Sequence, residues 1–253
     1  MSQEFVYKEK NLELFKKYLK IFEKKLENYI PDIENNSNYY ASLFDLRCLP
    51  ELLPIVKNHL YFLNNNSLGI KWGLQVFHGS ENENFLKDLF KDLKNVVYEN
   101  LNIKNFTDRQ THTEILKSCE FWKKSNGDKI LIFQNDSMLL KNGIEEFLKW
   151  DYIGAPWKKP KEGCFVGNGG LSLRTRDKMI KISEKFKSDY GMWEDIYFSK
   201  YLYNNGLADL ESARKFAMED DYYFDPMGIH NPIKIETNLL KEIFEKNVPE
   251  YTL

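Results

Sequence analysis

The chain has little of several things that would settle a class at once. Only three cysteines occur in 253 residues. Cys48, Cys119 and Cys164 lie far apart, in no Cys-x-x-Cys spacing. They build neither a disulfide framework nor a thiolate zinc site, and the reading is a reducing, cytoplasmic compartment. No apolar run approaches the roughly 18 residues that cross a bilayer. The opening MSQEFVYKEK lacks the apolar stretch of a signal peptide. No transmembrane anchor is expected. An excess of one charge is missing too: 36 basic against 38 acidic residues leave a formal net charge of -2. That excludes the broad basic footprint of a nucleic-acid-binding surface. There is no internal repeat, and no low-complexity tract beyond the asparagine clusters. His59, His78 and His112 have no helical i, i+4 partner of the metalloprotease kind. Ser137 and Ser172 lack the Gly-x-Ser-x-Gly setting of a serine hydrolase.

What the chain does have is aromatic side chains, 15% of residues. Core packing accounts for most; the Tyr and Trp among them also suit stacking on a sugar or a base. Leu12, Phe15, Leu19, Phe22, Leu26 and Tyr29 recur three and four apart, one face of an amphipathic helix that Pro31 closes. That face has to be covered, by the rest of the chain or by the same helix of a homodimer. Its mixed-sign polar face ranks a membrane surface last. The expected organisation is an N-terminal helical extension at 1–35, ending in the polar linker Asn35-Asn36-Ser37-Asn38, and one α/β domain at 36–253.

After the linker, strand and helix patterns alternate. Strands are expected at 39–47, 72–79, 95–101 and 129–136, and helices at 50–63, 81–93 and 111–124. Such spacing implies right-handed βαβ units and a largely parallel sheet, with the apolar KILIFQND strand central. Ligands of such sheets bind beyond the carboxyl ends of the strands. Arg47, His78 and Asp136 fall at those ends.

Four features then carry chemistry. Asp136 just past a buried strand suits a divalent cation bridging a diphosphate, or else caps a turn. GNGGLSLR gathers three glycines around Asn168, which allows close backbone approach or a tight turn; it lacks the dinucleotide fingerprint's context. Glu194-Asp195 opens a helix, so the two side chains point apart: one can face a pocket as general base while the other caps or pairs. His230 sits in a Pro/Gly-rich loop, as a pocket residue or a structural one.

Together, FWKKSNGDKILIFQNDS, DYIGAPW, VGNGGLSLR, WEDIYFS and GIHNP resemble the DUF5672 family, regarded as GT-A-like glycosyltransferases. The resemblance spans roughly residues 121–232. It implies a Rossmann-like sheet that binds a nucleotide-sugar, with the acceptor in the C-terminal part. GT-A enzymes usually carry Asp-x-Asp where this chain has Gln134-Asn135-Asp136, so only the second carboxylate remains. Asp136 with His230 would hold the metal, Mn²⁺ rather than Mg²⁺ because an imidazole nitrogen suits it better. Otherwise Arg174, Arg176 or a lysine neutralises the diphosphate. WEDIYFS is similar to the Glu-Asp-Val element of inverting enzymes, which makes Asp195 the base and Glu194 its substitute. The implied donor contacts are Arg47, His78, Gln134, Asn135, Asp136 and Arg174. The implied acceptor contacts are Trp157, Asn168, Gly169, Gly170 and Trp193. The expectation is transfer from a UDP-linked donor to a glycan or other hydroxyl, with inversion. Two other classes stand beside it. One is a non-catalytic nucleotide-sugar-binding or scaffold protein; the other is a metal-dependent phosphohydrolase, which wants more clustered carboxylates than this chain offers.

Overall fold

The computed structural model describes residues 3–104, 109–186 and 191–247. In chain order these form α1 (Gln3–Lys25), β1 (Tyr39–Phe44), α2 (Leu52–Asn64), β2 (Gly73–His78), α3 (Glu83–Leu89), β3 (Val96–Asn100), α4 (Arg109–Lys117), α5 (Cys119–Lys124), β4 (Lys129–Phe133) and β5 (Ser137–Leu139). Then follow β6 (Tyr152–Gly154), β7 (Pro156–Lys161), β8 (Cys164–Val166), β9 (Leu171–Thr175), α6 (Arg176–Lys185), α7 (Glu194–Leu202), α8 (Leu210–Phe216), β10 (Ala217–Met218), β11 (Gly228–His230) and α9 (Thr237–Asn247).

The main sheet has the order β3-β2-β1-β4-β9-β6. Its first four strands are parallel, and β9 and β6 extend it antiparallel. Period-two alternation fills both faces. In β4, Leu131 and Phe133 join the core under α1, α2 and α9. Ile130 and Ile132 join the core under α5, α6 and α7. The α/β class with a mostly parallel sheet is the one the alternating pattern predicts.

Two local expectations change. The helix expected at 111–124 is two helices, because Ser118 turns extended and its hydroxyl accepts the Phe121 N–H at 3.2 Å, capping α5. The N-terminal helix ends at Lys25, well before Pro31. Phe15, Leu19, Phe22 and Leu26 are buried with Tyr18, whose ring stacks on Phe244 of α9 at 4.2 Å. Leu12 of the expected stripe is 42% exposed, and Asn11 is buried in its place. The stripe is therefore covered by α2 and α9 of its own chain. No helix of the described residues is long and apolar enough to cross a membrane.

Strand direction sets the site. The carboxyl ends of β1 and β4 lie beside the start of β9, because β9 runs antiparallel to β4 with Phe133 opposite Leu171. A small second sheet, β10-β11-β5, completes the wall: its register places His230 opposite Ser137, next to Asp136.

Candidate active site

A cleft of about 540 Å³ opens at these strand ends. Arg47, Gln134, Asn135, Asp136, Trp157, Asn168, Gly169, Gly170, Trp193, Glu194, Asp195 and His230 all line it. Residues up to 183 positions apart are thus brought together.

On the β4 side, Asp136 Oδ1 lies 3.3 Å from His230 Nε2. This carboxylate oxygen is buried, and the imidazole is its partner. His230 Nδ1 faces Glu219 Oε1 at 3.9 Å. Burial alone would lower the His230 pKa, but Asp136 and Glu219 outweigh it and push the imidazole up to about 10. Burial likewise works against Glu219, yet His230 and Lys234 hold it down to about 2. Asp136 is shifted downward in the same way, with His230 outweighing burial. The Glu219 carboxylate also accepts from Lys234 and, at 3.2 Å, from Asn231 Nδ2. Gln134 stands where a first carboxylate would be. Its Oε1 lies 3.3 Å from His230 Nε2 and its Nε2 lies 3.4 Å from His112 Nε2. Asn135 Oδ1 accepts from Arg47 Nη2 at 2.8 Å, and Arg47 is forked onto Asp45 at 2.6 and 2.9 Å.

The glycine turn seats two side chains. A Cβ on Gly170 would lie 1.9 Å from His230 Nε2, and one on Gly169 would lie 1.7 Å from Glu194 Oε1. Asn168 supplies the turn itself, with φ of 68° and its Oδ1 accepting the Gly170 N–H at 3.2 Å. The close approach that the motif signalled is thus protein against protein.

On the α7 side the adjacent carboxylates have separate environments. Glu194 is buried and pairs with Arg174, Nη2 to Oε2 at 3.0 Å. Burial raises the Glu194 pKa and Arg174 opposes it. Asp195 is half-buried and lines the cleft, its Oδ1 accepting the Ile196 N–H at 2.8 Å. Arg109 lies over the exposed Trp193 at 4.6 Å, and Lys161 over the buried Trp157 at 4.5 Å.

Two expected donor contacts are placed elsewhere. His78 is buried at the end of β2 and its Nδ1 meets the Gly79 carbonyl at 2.8 Å, outside the cleft. Arg174 is fully buried behind the wall, where its Nη2 donates to Glu194 and its Nε to Ser172. Neither presents surface to a ligand. Sequence reasoning missed Asp45, Arg109, His112, Lys161, Glu219, Asn231 and Lys234. Asp45 could have been found two residues before Arg47 at the same strand end. Glu219 carried no signal, since its place depends on β10 pairing with β11.

The family model described as protein of unknown function, DUF5672, matches residues 95–230, more than half of the chain. The chain belongs to the DUF5672 family. No curated protein matches it. Among solved structures, the galactosyltransferase LgtC, solved with donor and acceptor sugar analogs, aligns at a TM-score of 0.53 and 11% identity, covering 83% of this chain and 96% of that one. The mannosyltransferase PcManGT from Pyrobaculum calidifontis, solved with GDP-Man and Mn²⁺, aligns at 0.46 and 10% identity, covering 79% and 64%. At such identity the LgtC likeness shows the fold: this DUF5672 member has a GT-A-like, Rossmann-type sheet.

Among the described residues no group of three His, Cys, Asp or Glu side chains is placed to hold a metal. Asp136 and His230 do fit as a two-ligand site. Their facing atoms are 3.3 Å apart, and Asp136 Oδ1 is a hard oxygen donor beside an imidazole nitrogen. Such a site is completed by substrate phosphates.

Proposed function

We propose that this protein is a glycosyltransferase that moves a sugar from a nucleoside diphosphate donor, UDP the expected one, to an acceptor hydroxyl with inversion. The observation that carries the reading is one cleft with two differently equipped walls. Asp136, His230 and Lys234 stand on the wall at the end of β4, and Asp195 stands open to the cleft at the start of α7. The first wall suits a diphosphate and the second an acceptor.

In the proposed reaction the acceptor hydroxyl gives its proton to the Asp195 carboxylate. Its oxygen forms a bond to the anomeric carbon as the bond from that carbon to the diphosphate oxygen breaks. The electron pair leaves with the diphosphate, which Lys234 and Arg47 face with positive charge. Asp136 and His230 would hold Mn²⁺ in preference to Mg²⁺. When bound, the ion supplies further charge to the leaving group. Trp157 and Trp193, with Asn168 between the walls, would orient the acceptor. Glu194 is withdrawn from the role of base by its pairing with Arg174.

The test is a panel of nucleotide-sugars offered to the purified protein, each with Mn²⁺ and with chelator, reading release of nucleoside diphosphate and of free phosphate. Diphosphate release that rises with a hydroxyl acceptor is expected. Binding without turnover would leave a nucleotide-sugar-binding protein, and free phosphate would indicate a phosphohydrolase.

A further inference from the structure

We propose that the buried Arg174–Glu194 ion pair is a positioning device that aims Asp195 into the cleft, with Gly169 as the seat that lets it form. This rests on Asp195 being the base. Successive side chains on a helix point about 100° apart. Anchoring Glu194 inward at the first residue of α7 therefore fixes the direction in which Asp195 leaves the helix.

Hydrogen bonds link the anchor to β9 and to the glycine turn. Arg174 Nη2 donates to Glu194 Oε2 at 3.0 Å, and Arg174 Nε donates to Ser172 Oγ at 2.9 Å. Ser172 Oγ donates to the Gly169 carbonyl at 3.0 Å. Gly169 returns to Glu194, since any Cβ there would meet Glu194 Oε1 at 1.7 Å. β9, the glycine turn and α7 are thus locked through one charged pair. The guanidinium lies 4.7 Å from the Tyr152 ring and 5.5 Å from those of Trp122 and Phe198.

Energetics argue that the pair serves something other than stability. Desolvating two charges often costs more than their attraction returns, and apolar replacements of buried pairs are commonly neutral or stabilising. Arg174 Nη1 is buried without a hydrogen-bond partner, a further cost. Such an arrangement beside a cleft fits specification of geometry. It also divides the charges: Glu194 is matched by Arg174, and Asp195 is the α7 carboxylate left facing a ligand.

The test is a mutant cycle on the full chain, reading UDP affinity and turnover of a nucleotide-sugar that the panel finds active. Arg174→Met, Arg174→Lys and Glu194→Gln are made alone and combined with Asp195→Asn. Arg174→Met is expected to lower kcat about 10²-fold, the cost of a misplacement near 1 Å, with UDP affinity unchanged. Arg174→Lys should recover part of that loss. In the Asp195→Asn background Arg174→Met should change kcat less than about twofold, because groups that act as a unit are not additive. If Arg174→Met fails to fold, Glu194→Gln, of the same shape, carries the same cycle, and Gly169→Ala should reproduce it. Losses that multiply in the double variant, or weaker UDP binding in Arg174→Met, would overturn the proposal alone. Wild-type turnover in Asp195→Asn would remove the base and this proposal with it.

Discussion

Replacing Gly170 by alanine perturbs the β4 wall through a single methyl group. The added Cβ would lie 1.9 Å from His230 Nε2, 2.4 Å from its Cε1 and 2.6 Å from its Cδ2. All three are atoms of a rigid ring, so no flexible end can swing away. Moving the closest contact out to about 3.5 Å, ordinary van der Waals spacing, asks the ring to retreat by roughly 1.6 Å. The ring has little room, with Asp136, Gln134 and Glu219 around it. Overpacking of a close site typically costs about 1–3 kcal/mol, which in a chain of this size lowers Tm by roughly 2–4 °C per kcal/mol. A retreat of that size also takes His230 Nε2 out of register with Asp136 Oδ1. Chemical denaturation reads the first effect, and calorimetry of UDP with Mn²⁺ reads the second. We expect both a lowered midpoint and at least a tenfold loss of Mn²⁺-dependent UDP affinity. Native stability with native affinity in Gly170→Ala would refute the seating of His230 on the glycine turn.

Metal binding should depend on pH with a definite sign. Asp136 and Glu219 hold the apo imidazole of His230 up to about 10, and a metal needs it neutral. Mn²⁺ affinity in the presence of UDP should therefore rise about tenfold per pH unit between pH 6 and 8, with one proton released per ion; a flat profile would exclude His230 as a ligand. Deleting residues 1–30 removes Phe15, Tyr18, Leu19, Phe22 and Leu26 from the core. At about 1.5–3 kcal/mol for each buried apolar side chain, that loss rivals the ~5–15 kcal/mol net stability of a domain. The truncated chain should aggregate or lose its cooperative thermal transition, and an unchanged melting curve would refute this. Asn11 Nδ2 also donates to the Pro232 carbonyl at 3.0 Å, so the turn after His230 goes with the helix.

The parallel part of the fold was legible because β1, β2 and β4 are apolar runs separated by helix-length segments. The same logic placed Asp136 and Arg47 at strand ends facing one cleft. What local pattern could not supply was long-range pairing. His230 reaches Asp136 through the β5–β11 register, and Glu219 reaches both through β10, a strand of two residues. His78 was misplaced by the opposite error: it sits at a strand end, but β2 is farther from β9 than β1 and β4 are. The burial of Arg174 was hidden because an arginine there suits a diphosphate, and only its partner on α7 makes an interior position tolerable. The helix break at Ser118 lies in plain view, since serine is a favoured capping residue.

In the proposed reaction everything turns on Asp195 removing the proton from the acceptor. Its most direct test is Asp195→Asn, assayed for transfer and for UDP affinity beside Glu194→Gln. We expect transfer lowered by roughly 10²–10⁴-fold, the usual reach of general base catalysis, with UDP binding intact. Wild-type transfer in Asp195→Asn would contradict it.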